Sequence, residues 1–545
     1  MNLLVFREGR QPVSGSALKT ALVQQLRNCT LEQALPALLR AGEAECAVAD
    51  ADASSATALL SDITDALAIA LVSGAILPAI PSLLSELQSI SFPENLNVST
   101  PEGFAYYALH PLAFADVLEK LTPLPAQAVV VGIRSIGTTL SAVLTATLRM
   151  RGCRTERFSV RPVGHPYDRF TEFLPEQIAF VNRGVSCRAD FFIVDEGPGI
   201  SGSSFLSVAE ALLRNGVARQ NITLICSYEP HVEMLRATNA PERWRQFRCV
   251  PAISKPRLPA GTQAEISGGQ WRRYFIRDES GWPATWLNFE RMKYLSSDTA
   301  GPRLFKFLGY GHYGQIVLER EAAVAAAGFG PSPKIEPDGF ASYPFISGRP
   351  MLAEDLSESG LARMAAYCAF RVQTCRTESA DLNALQQMAE HNLAELRFDM
   401  PVRLQVERPA IVDGRMQPHE WLLTPDGQML KTDSGSHGDD HFFPGATDIA
   451  WDLAGAIVEW WMNEAEAAAF LKMYHCASGD DARNRIADFI TAYTIFRCAW
   501  CMMAANALPG TEEQARLEQA AASYGAALTD RVIRDRADIM GGGGL

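Results

Sequence analysis

The sequence predicts a multidomain α/β protein, and three observations carry that prediction. The chain has 545 residues, more than one hydrophobic core accommodates, so about two to four domains are expected. From about residue 126, short apolar runs alternate with helical patterns, the rhythm of a parallel sheet with crossover helices. Within that stretch Phe191, Phe192, Ile193 and Val194 read as a buried strand. It is closed by the acidic pair Asp195 and Glu196 and a turn rich in glycine and serine.

The bulk numbers narrow the class. A hydrophobic content of 48% with 20% charged residues describes a chain that buries a core. The net charge of −13 argues against broad nucleic-acid or anionic-membrane binding and leaves room for a local basic pocket. Eleven scattered cysteines, an odd number without repeated spacing, do not describe a secreted disulfide framework. No basic, apolar leader opens the sequence, so a cytoplasmic location is expected. Residues 66–84 carry no charge and are long enough to cross a membrane. Gly74, Pro78 and Pro81 interrupt them and no Lys or Arg flanks them, so two short buried helices are expected there.

In chain order, residues 1–98 are rich in Ala, Leu and Ser, with helical periodicity through 16–39 and 56–87, and form an N-terminal helical region. Residues 99–270 are the expected α/β domain. An apolar run at 128–132 precedes a helix at 136–150, and residues 155–161 are extended. The motif strand at 191–194 leads to a helix at 203–215 that stops at Gly216, and 222–226 is a further strand. Through Pro- and Gly-bearing sequence the pattern loosens to about residue 281. A third domain at 285–540 begins as mixed α and β, is mostly helical after Trp451, and ends in a glycine tail at 541–544. No internal repeat is evident.

The turn after the acidic pair carries the chemistry. Gly199, Ser201, Gly202, Ser203 and Ser204 present backbone N–H groups and hydroxyls to a phosphate at a helix N-terminus. Asp195 and Glu196 stand where ribose hydroxyls would lie if the 5-phosphate occupied that turn. The acids come first and no lysine follows, which favours a sugar phosphate over a nucleoside triphosphate. An ordinary strand–turn–helix shares the strand and the glycines but not this order of parts.

This arrangement resembles the 5-phosphoribosyl 1-pyrophosphate (PRPP) signature of type I phosphoribosyltransferases, over residues of about 100–255. The resemblance implies displacement at C1 of PRPP by a nucleophilic nitrogen of a small-molecule acceptor, with Mg²⁺ bridging the diphosphate and the ribose hydroxyls. It implies a pyrophosphate loop at Arg134, Ser135 and Gly137, and a mobile closing loop over 157–169 with Arg161, His165 and Arg169 as contacts. The filling between the acids and Ser201, Gly197 to Ile200, departs from the family's usual pattern and leaves the acceptor open.

A second constellation lies further on. The segments 413–421 and 429–433 resemble the catalytic segment of aminoglycoside-phosphotransferase-like kinases, where His-Gly-Asp-x-x-x-x-Asn precedes a strand and a metal-binding Asp. Residues 446–454 resemble the same family's Asp-Leu-Ala helix start. The resemblance implies a nucleotide lysine at Lys306, its ion-pair partner at Glu321, and Mg²⁺ on Glu420 and Asp433, with ATP as ligand. Arg415 stands at the catalytic Asp position and Glu420 at the Asn position. A guanidinium accepts no proton, so kinase activity is left open and nucleotide binding without transfer is expected. The alternative for the whole chain is a non-catalytic sensor of PRPP or nucleotide.

Three lesser motifs complete the reading. Gly309, Gly311 and Gly314 form a GxGxxG, with Asp338 at a suitable distance, but the glycines follow the lysine strand and are read as a flexible connection. His437, Asp439, Asp440 and His441, with His419 nearby, are expected to form a polar active-site loop, with a transition-metal site as the alternative. Cys498 and Cys501 make the one CxxC, inside an apolar helix, and are expected to be buried structural thiols. Oligomeric state is not legible.

Overall fold

The Val-rich run through Val129, Val130 and Val131 has no polar face, as a strand covered on both sides requires. In the computed structural model, which describes residues 3–5, 10–27, 29–52, 54–253, 258, 261–298, 301–443 and 445–541, it is an interior strand of a parallel sheet. Most of the expected glycine tail, residues 542–544, lies outside the described residues. The chain divides into two compact units. One comprises Arg10–Arg257 with Gly309–Tyr313, the other Met1–Gly9, Leu258–Leu308 and Gly314–Leu545.

In the first unit β1 (Arg10–Ser14) and β2 (Asn95–Ser99) pair antiparallel around four helices: α1 (Gly15–Arg27), α2 (Ala34–Asp50), α3 (Ser54–Ser73) and α4 (Ile80–Ser89). The sheet follows, with β3 (Gln127–Ile133), α5 (Ile136–Met150), β4 (Arg154–Val160), a small hairpin of β5 (Val163–His165) and β6 (Asp168–Phe170), α6 (Pro175–Ser186), β7 (Asp190–Val194), α7 (Ser203–Arg214), β8 (Ile222–Cys226) and β9 (Arg248–Pro251). The strand order is β4-β3-β7-β8-β9, every ladder parallel. From β3 the chain turns through α5 to β4 on one side, and from β7 through α7 to β8 on the other. The C-terminal ends of β3 and β7 therefore flank a topological switch point, where open α/β sheets bind ligands.

The N-terminal helices are not a region apart from the sheet. Residues Ile136 to Leu148 of α5 are all buried. Ala142, Val143 and Ala146 share one apolar cluster with α1–α4. A Cβ on Gly42 would fall 2.0 Å from Thr139 Oγ1, so α2 and α5 touch backbone to side chain. A helix sandwiched between a sheet and other helices needs small and apolar residues on every side, which explains its run of Thr, Ser and Ala. The expected 66–84 pair is placed differently: one 20-residue helix, α3, ends at Gly74 (φ 71°), and α4 begins at Ile80. By length and composition α3 and the later helix Ile486–Ala507 could each span a membrane; 50% and 72% of their apolar windows are buried inside the protein.

The second unit begins earlier than the expected residue 285. Strand β10 (Thr262–Glu265) pairs antiparallel with β11 (Lys293–Asp298), so the ladder claims residues the sequence assigned to the α/β domain. The sheet runs β10-β11-β12-β14-β13, with β12 (Gly301–Phe307), β13 (Lys334–Ile335) and β14 (Phe340–Pro344). Helix α8 (His312–Ala326) follows the GxGxxG turn, in which Gly309 and Gly311 have φ of 137° and 56°. The remainder is largely helical: α9 (Glu358–Thr374), α10 (Asn383–Glu395), α11 (Ala450–Glu459), α12 (Glu464–Ser478), α13 (Ile486–Ala507) and α14 (Glu512–Gly541). Cys498 and Cys501 are buried in α13 with free thiols, as expected.

Within the first unit, ion pairs fix the helices to the second strand. Arg157 of β4 donates from both terminal nitrogens to Glu45 of α2, at 2.8 and 2.9 Å, and its Nε pairs with Asp65 of α3. The Arg157 and Glu45 side chains are 2% and 3% exposed. Removing one partner strands a buried charge, so Arg157→Met is expected to destabilise this unit by about 3–5 kcal/mol. Denaturant unfolding followed by circular dichroism reads this. Adding Glu45→Met is expected to recover part of the loss.

Candidate functional site

The switch point gathers most of the residues expected to bind ribose phosphate. Asp195 and Glu196 follow β7 directly and are partly buried. Asp195 Oδ1 accepts the Glu196 N–H at 2.8 Å, and Glu196 Oε2 accepts the Gly103 N–H at 3.0 Å. Burial pushes the Asp195 carboxyl up to about 7, against the pull of that N–H, Arg161 and Arg169. Burial, reinforced by Glu102 and Asp195, pushes Glu196 up to about 8.

The turn beyond them wraps the head of α7. Gly199 and Gly202 take φ of 58° and 73°, the left-handed region that glycine enters without strain. Ser201 Oγ lies 2.9 Å from Ser203 Oγ and accepts the Ser203 N–H, while Ser203 Oγ donates to the Pro166 carbonyl at the tip of the β5–β6 hairpin. Ser204 is on the first turn of the 12-residue helix α7, the end whose aligned N–H groups favour an anion.

Across the crevice Arg134 and Ser135, joined by a cis peptide, lead from β3 into α5. A Cβ on Gly137 would meet the Val194 carbonyl oxygen at 2.5 Å, so the head of α5 reaches the end of β7 only with glycine there. Arg134 donates to Asp50 Oδ1 at 2.9 Å and to Ser159 Oγ at 3.1 Å. Arg161 donates to the same Asp50, 2.9 Å from Nε to Oδ1 and 2.6 Å from Nη2 to Oδ2. Burial acts to raise the Asp50 pKa, but the two guanidinium groups outweigh it and hold the carboxyl below its usual range.

The expected closing loop is only partly a loop. Residues 157–160 belong to β4, Arg161 is held by Asp50, and 163–170 form the β5–β6 hairpin. Arg169 donates to the Pro162 carbonyl at 3.2 Å. His165 stands on the exposed hairpin, its Nδ1 accepting the Tyr167 N–H, and is not brought to the acidic pair. Asp50 and Tyr228, whose ring lies against Gly197, escaped the sequence reading because both are distant in the chain and sit in no motif.

In the second unit Lys306 of β12 donates to Glu321 of α8 at 3.0 Å, the pair its motif implied, and also pairs with Asp433, which the motif did not imply. Lys293, not anticipated, reaches Asp433 Oδ2 at 3.1 Å from the neighbouring strand, where Lys293 faces Lys306 in register. Burial works against ionisation of Asp433, but Lys293 and Lys306 hold its carboxyl well below the usual range. His437 flanks Asp433 at 3.4 Å and Asp440 at 3.3 Å. Glu420 is buried and borders the same cleft as Asp433. Asp413 and Gly414 donate their N–H groups to Asp452 of α11, fixing the loop that carries Arg415.

The carboxylate pairs 195/196 and 420/433 offer the all-oxygen donors that suit Mg²⁺. Among the described residues no three His, Cys, Asp or Glu side chains gather as a metal site, which removes support for a transition metal in the histidine loop.

No family model matches the chain, and no curated protein matches it. Solved structures do. The choline kinase LicA from Streptococcus pneumoniae shares 14% identity at a TM-score of 0.31, covering 43% of this chain and 90% of its own. An aminoglycoside phosphotransferase from Alicyclobacillus acidocaldarius shares 14% at 0.30, covering 52% and 98%. A spectinomycin phosphotransferase, solved with ADP and its antibiotic, shares 13% at 0.30, covering 43% and 85%.

Carboxyls raised to about 7 and 8 from the ordinary values of 3.8 and 4.5 bind more protons folded than unfolded between about pH 4 and 8. Stability contributed by the pair therefore falls as pH rises through that window. Asp195→Asn with Glu196→Gln is expected to raise the melting temperature at pH 8 and to leave it unchanged near pH 4, as differential scanning calorimetry reads.

Proposed function

We propose that the first unit binds PRPP with Mg²⁺ and transfers its phosphoribosyl group to a nucleophilic nitrogen of a small-molecule acceptor, in the cytoplasm. One observation carries this reading. The acidic pair, the glycine–serine turn at the head of α7 and Arg134 at the head of α5 meet at a single topological switch point. The 5-phosphate takes the turn, where residues 199–204 and the helix end supply N–H groups and hydroxyls. The ribose hydroxyls hydrogen-bond to the carboxyls of Asp195 and Glu196, whose ionised form a bound Mg²⁺ would favour. The diphosphate faces Arg134 and Arg161, whose guanidinium groups neutralise charge as the C1–O bond breaks. The acceptor nitrogen forms the new bond to C1 and loses its proton, and diphosphate leaves with the electron pair. Bound Mg²⁺ would supply further neutralisation of the leaving diphosphate.

Calorimetric titration with PRPP and Mg²⁺ tests this. The parent is expected to bind and the Asp195→Asn/Glu196→Gln protein to lose at least about tenfold in affinity, since two charge-accepted hydrogen bonds are weakened. No binding by the parent overturns the reading.

A second function is favoured by the Lys306–Glu321–Asp433 constellation. The second unit is read as a kinase-like module that binds a nucleotide such as ATP, with Arg415 in place of a proton-accepting acid. Mg·ATP is expected to raise the melting temperature, and Lys306→Ala to abolish the rise without phosphate transfer appearing in either protein. If both sites bind without turnover, the chain is a sensor of PRPP and nucleotide.

A further inference from the structure

The cleft of the second unit has an electrostatic character that its nucleotide residues do not explain. In a chain of net charge −13, its walls carry six cationic side chains, Arg291, Lys293, Lys306, Arg415, Lys431 and Arg497, against four carboxylates. Lys293 and Lys306 are matched by Asp433 and Glu321. Lys431 is matched by Asp413, at 3.4 Å, both fully buried. Arg415 is different. It is partly buried and lines the cleft, yet its guanidinium donates no hydrogen bond and forms no ion pair among the described residues.

Arg497 stands on the same cleft wall. Its Nε is engaged by Glu459 at 3.0 Å, and its guanidinium lies 4.7 Å from the centre of the Trp500 ring. Tyr493 and Tyr524 each donate to Glu459 at 2.8 Å, so the carboxylate orienting Arg497 is itself held by two hydroxyls. Between the two arginines in sequence comes Gln417, 5% exposed, which lines the cleft and whose buried Oε1 has no hydrogen-bond partner. A buried amide oxygen left open is costly and marks a place where a ligand donor fits. Burial, with the positive charge of Arg415 and Arg497 following, pushes the His419 imidazole down to about 3, so it stays neutral. That ring stacks on Trp271 at 5.9 Å, and Phe275 stacks on Phe345 at 5.8 Å, giving the cleft flat apolar walls.

We propose that this cleft binds an aromatic small molecule bearing a carboxylate or phosphate. Its anion is held by Arg415 and Arg497, its ring lies against the aromatic walls, and Gln417 accepts from a polar edge of the ring. Arg415, in the place where a kinase would keep its proton acceptor, serves as an anion-recognition residue. This site depends neither on PRPP binding in the first unit nor on nucleotide binding at Lys306.

The test uses four ligands with one ring: phenyl phosphate, benzoate, neutral benzamide and cationic benzyltrimethylammonium, titrated by saturation-transfer NMR and tryptophan quenching on the full chain. At least one of the two anions is expected to bind at least about tenfold more tightly than benzamide, as a charge-assisted hydrogen bond requires. The cation is expected to bind weakest. Arg415→Gln is expected to bring the anion preference within about twofold, and Arg415→Lys to keep part of it. Arg415 donates no hydrogen bond whose loss would strand an acceptor, though its charge helps hold Asp440 ionised, and an unchanged melting temperature checks that the variant is folded. Equal binding of anion and amide, a preference for the cation, or survival of the preference in Arg415→Gln each overturns the proposal. The phosphate and benzoate arms separate the two anion types.

Discussion

Three carboxylates on the N-terminal helices, Glu45, Asp50 and Asp65, hold the first unit in its arrangement. They face arginines that the sheet presents at one edge: Arg157 and Arg161 at and just beyond β4, and Arg134 just beyond β3. Apolar burial is non-directional. A bidentate guanidinium–carboxylate pair fixes two directions at once. With Arg157 locked to Glu45, α2 lies along α5, and Asp50 at the end of α2 arrives beside the crevice. The helical region is thus both a cover for α5 and a supplier of one functional charge.

The parallel unit was legible because its signals are local. Residues 128–132, 136–150 and 222–226 carry patterns that only one element type satisfies, and the observed β3, α5 and β8 fall on them. The acidic pair and its turn announce themselves by the order of residue types within ten positions. What escaped was long-range. Asp50 is 84 residues from Arg134, and nothing in a helix ending in Ala-Asp signals that its last side chain meets two arginines. The boundary near 258 was missed for the same reason: β10 has a weak pattern of its own and becomes a strand by pairing with β11.

In the second unit the motif residues Lys306, Glu321 and Asp433 converge across 127 residues of chain. Lys293 lies in no motif; it reaches the same carboxylate because antiparallel register sets it opposite Lys306. Two ammonium groups therefore share one carboxylate. The loop of Arg415 is held from beneath by Asp452, whose own carboxyl is pushed up to about 6 by burial and by Asp413. The loop that carries Arg415 is therefore firmly anchored on α11.

The grip of Asp50 on Arg134 and Arg161 has a consequence for selectivity. An anion arriving at that turn does not meet bare positive charge; it meets guanidinium groups already satisfied by a tethered rival whose local concentration never falls. Chloride or a lone carboxylate gains nothing by the exchange. A polyanion that engages both guanidinium groups and the neighbouring backbone gains more than Asp50 gives up. On the function proposed above, the crevice would act as an ion exchanger with a built-in threshold, indifferent to ordinary salt and responsive to ligands of high charge density.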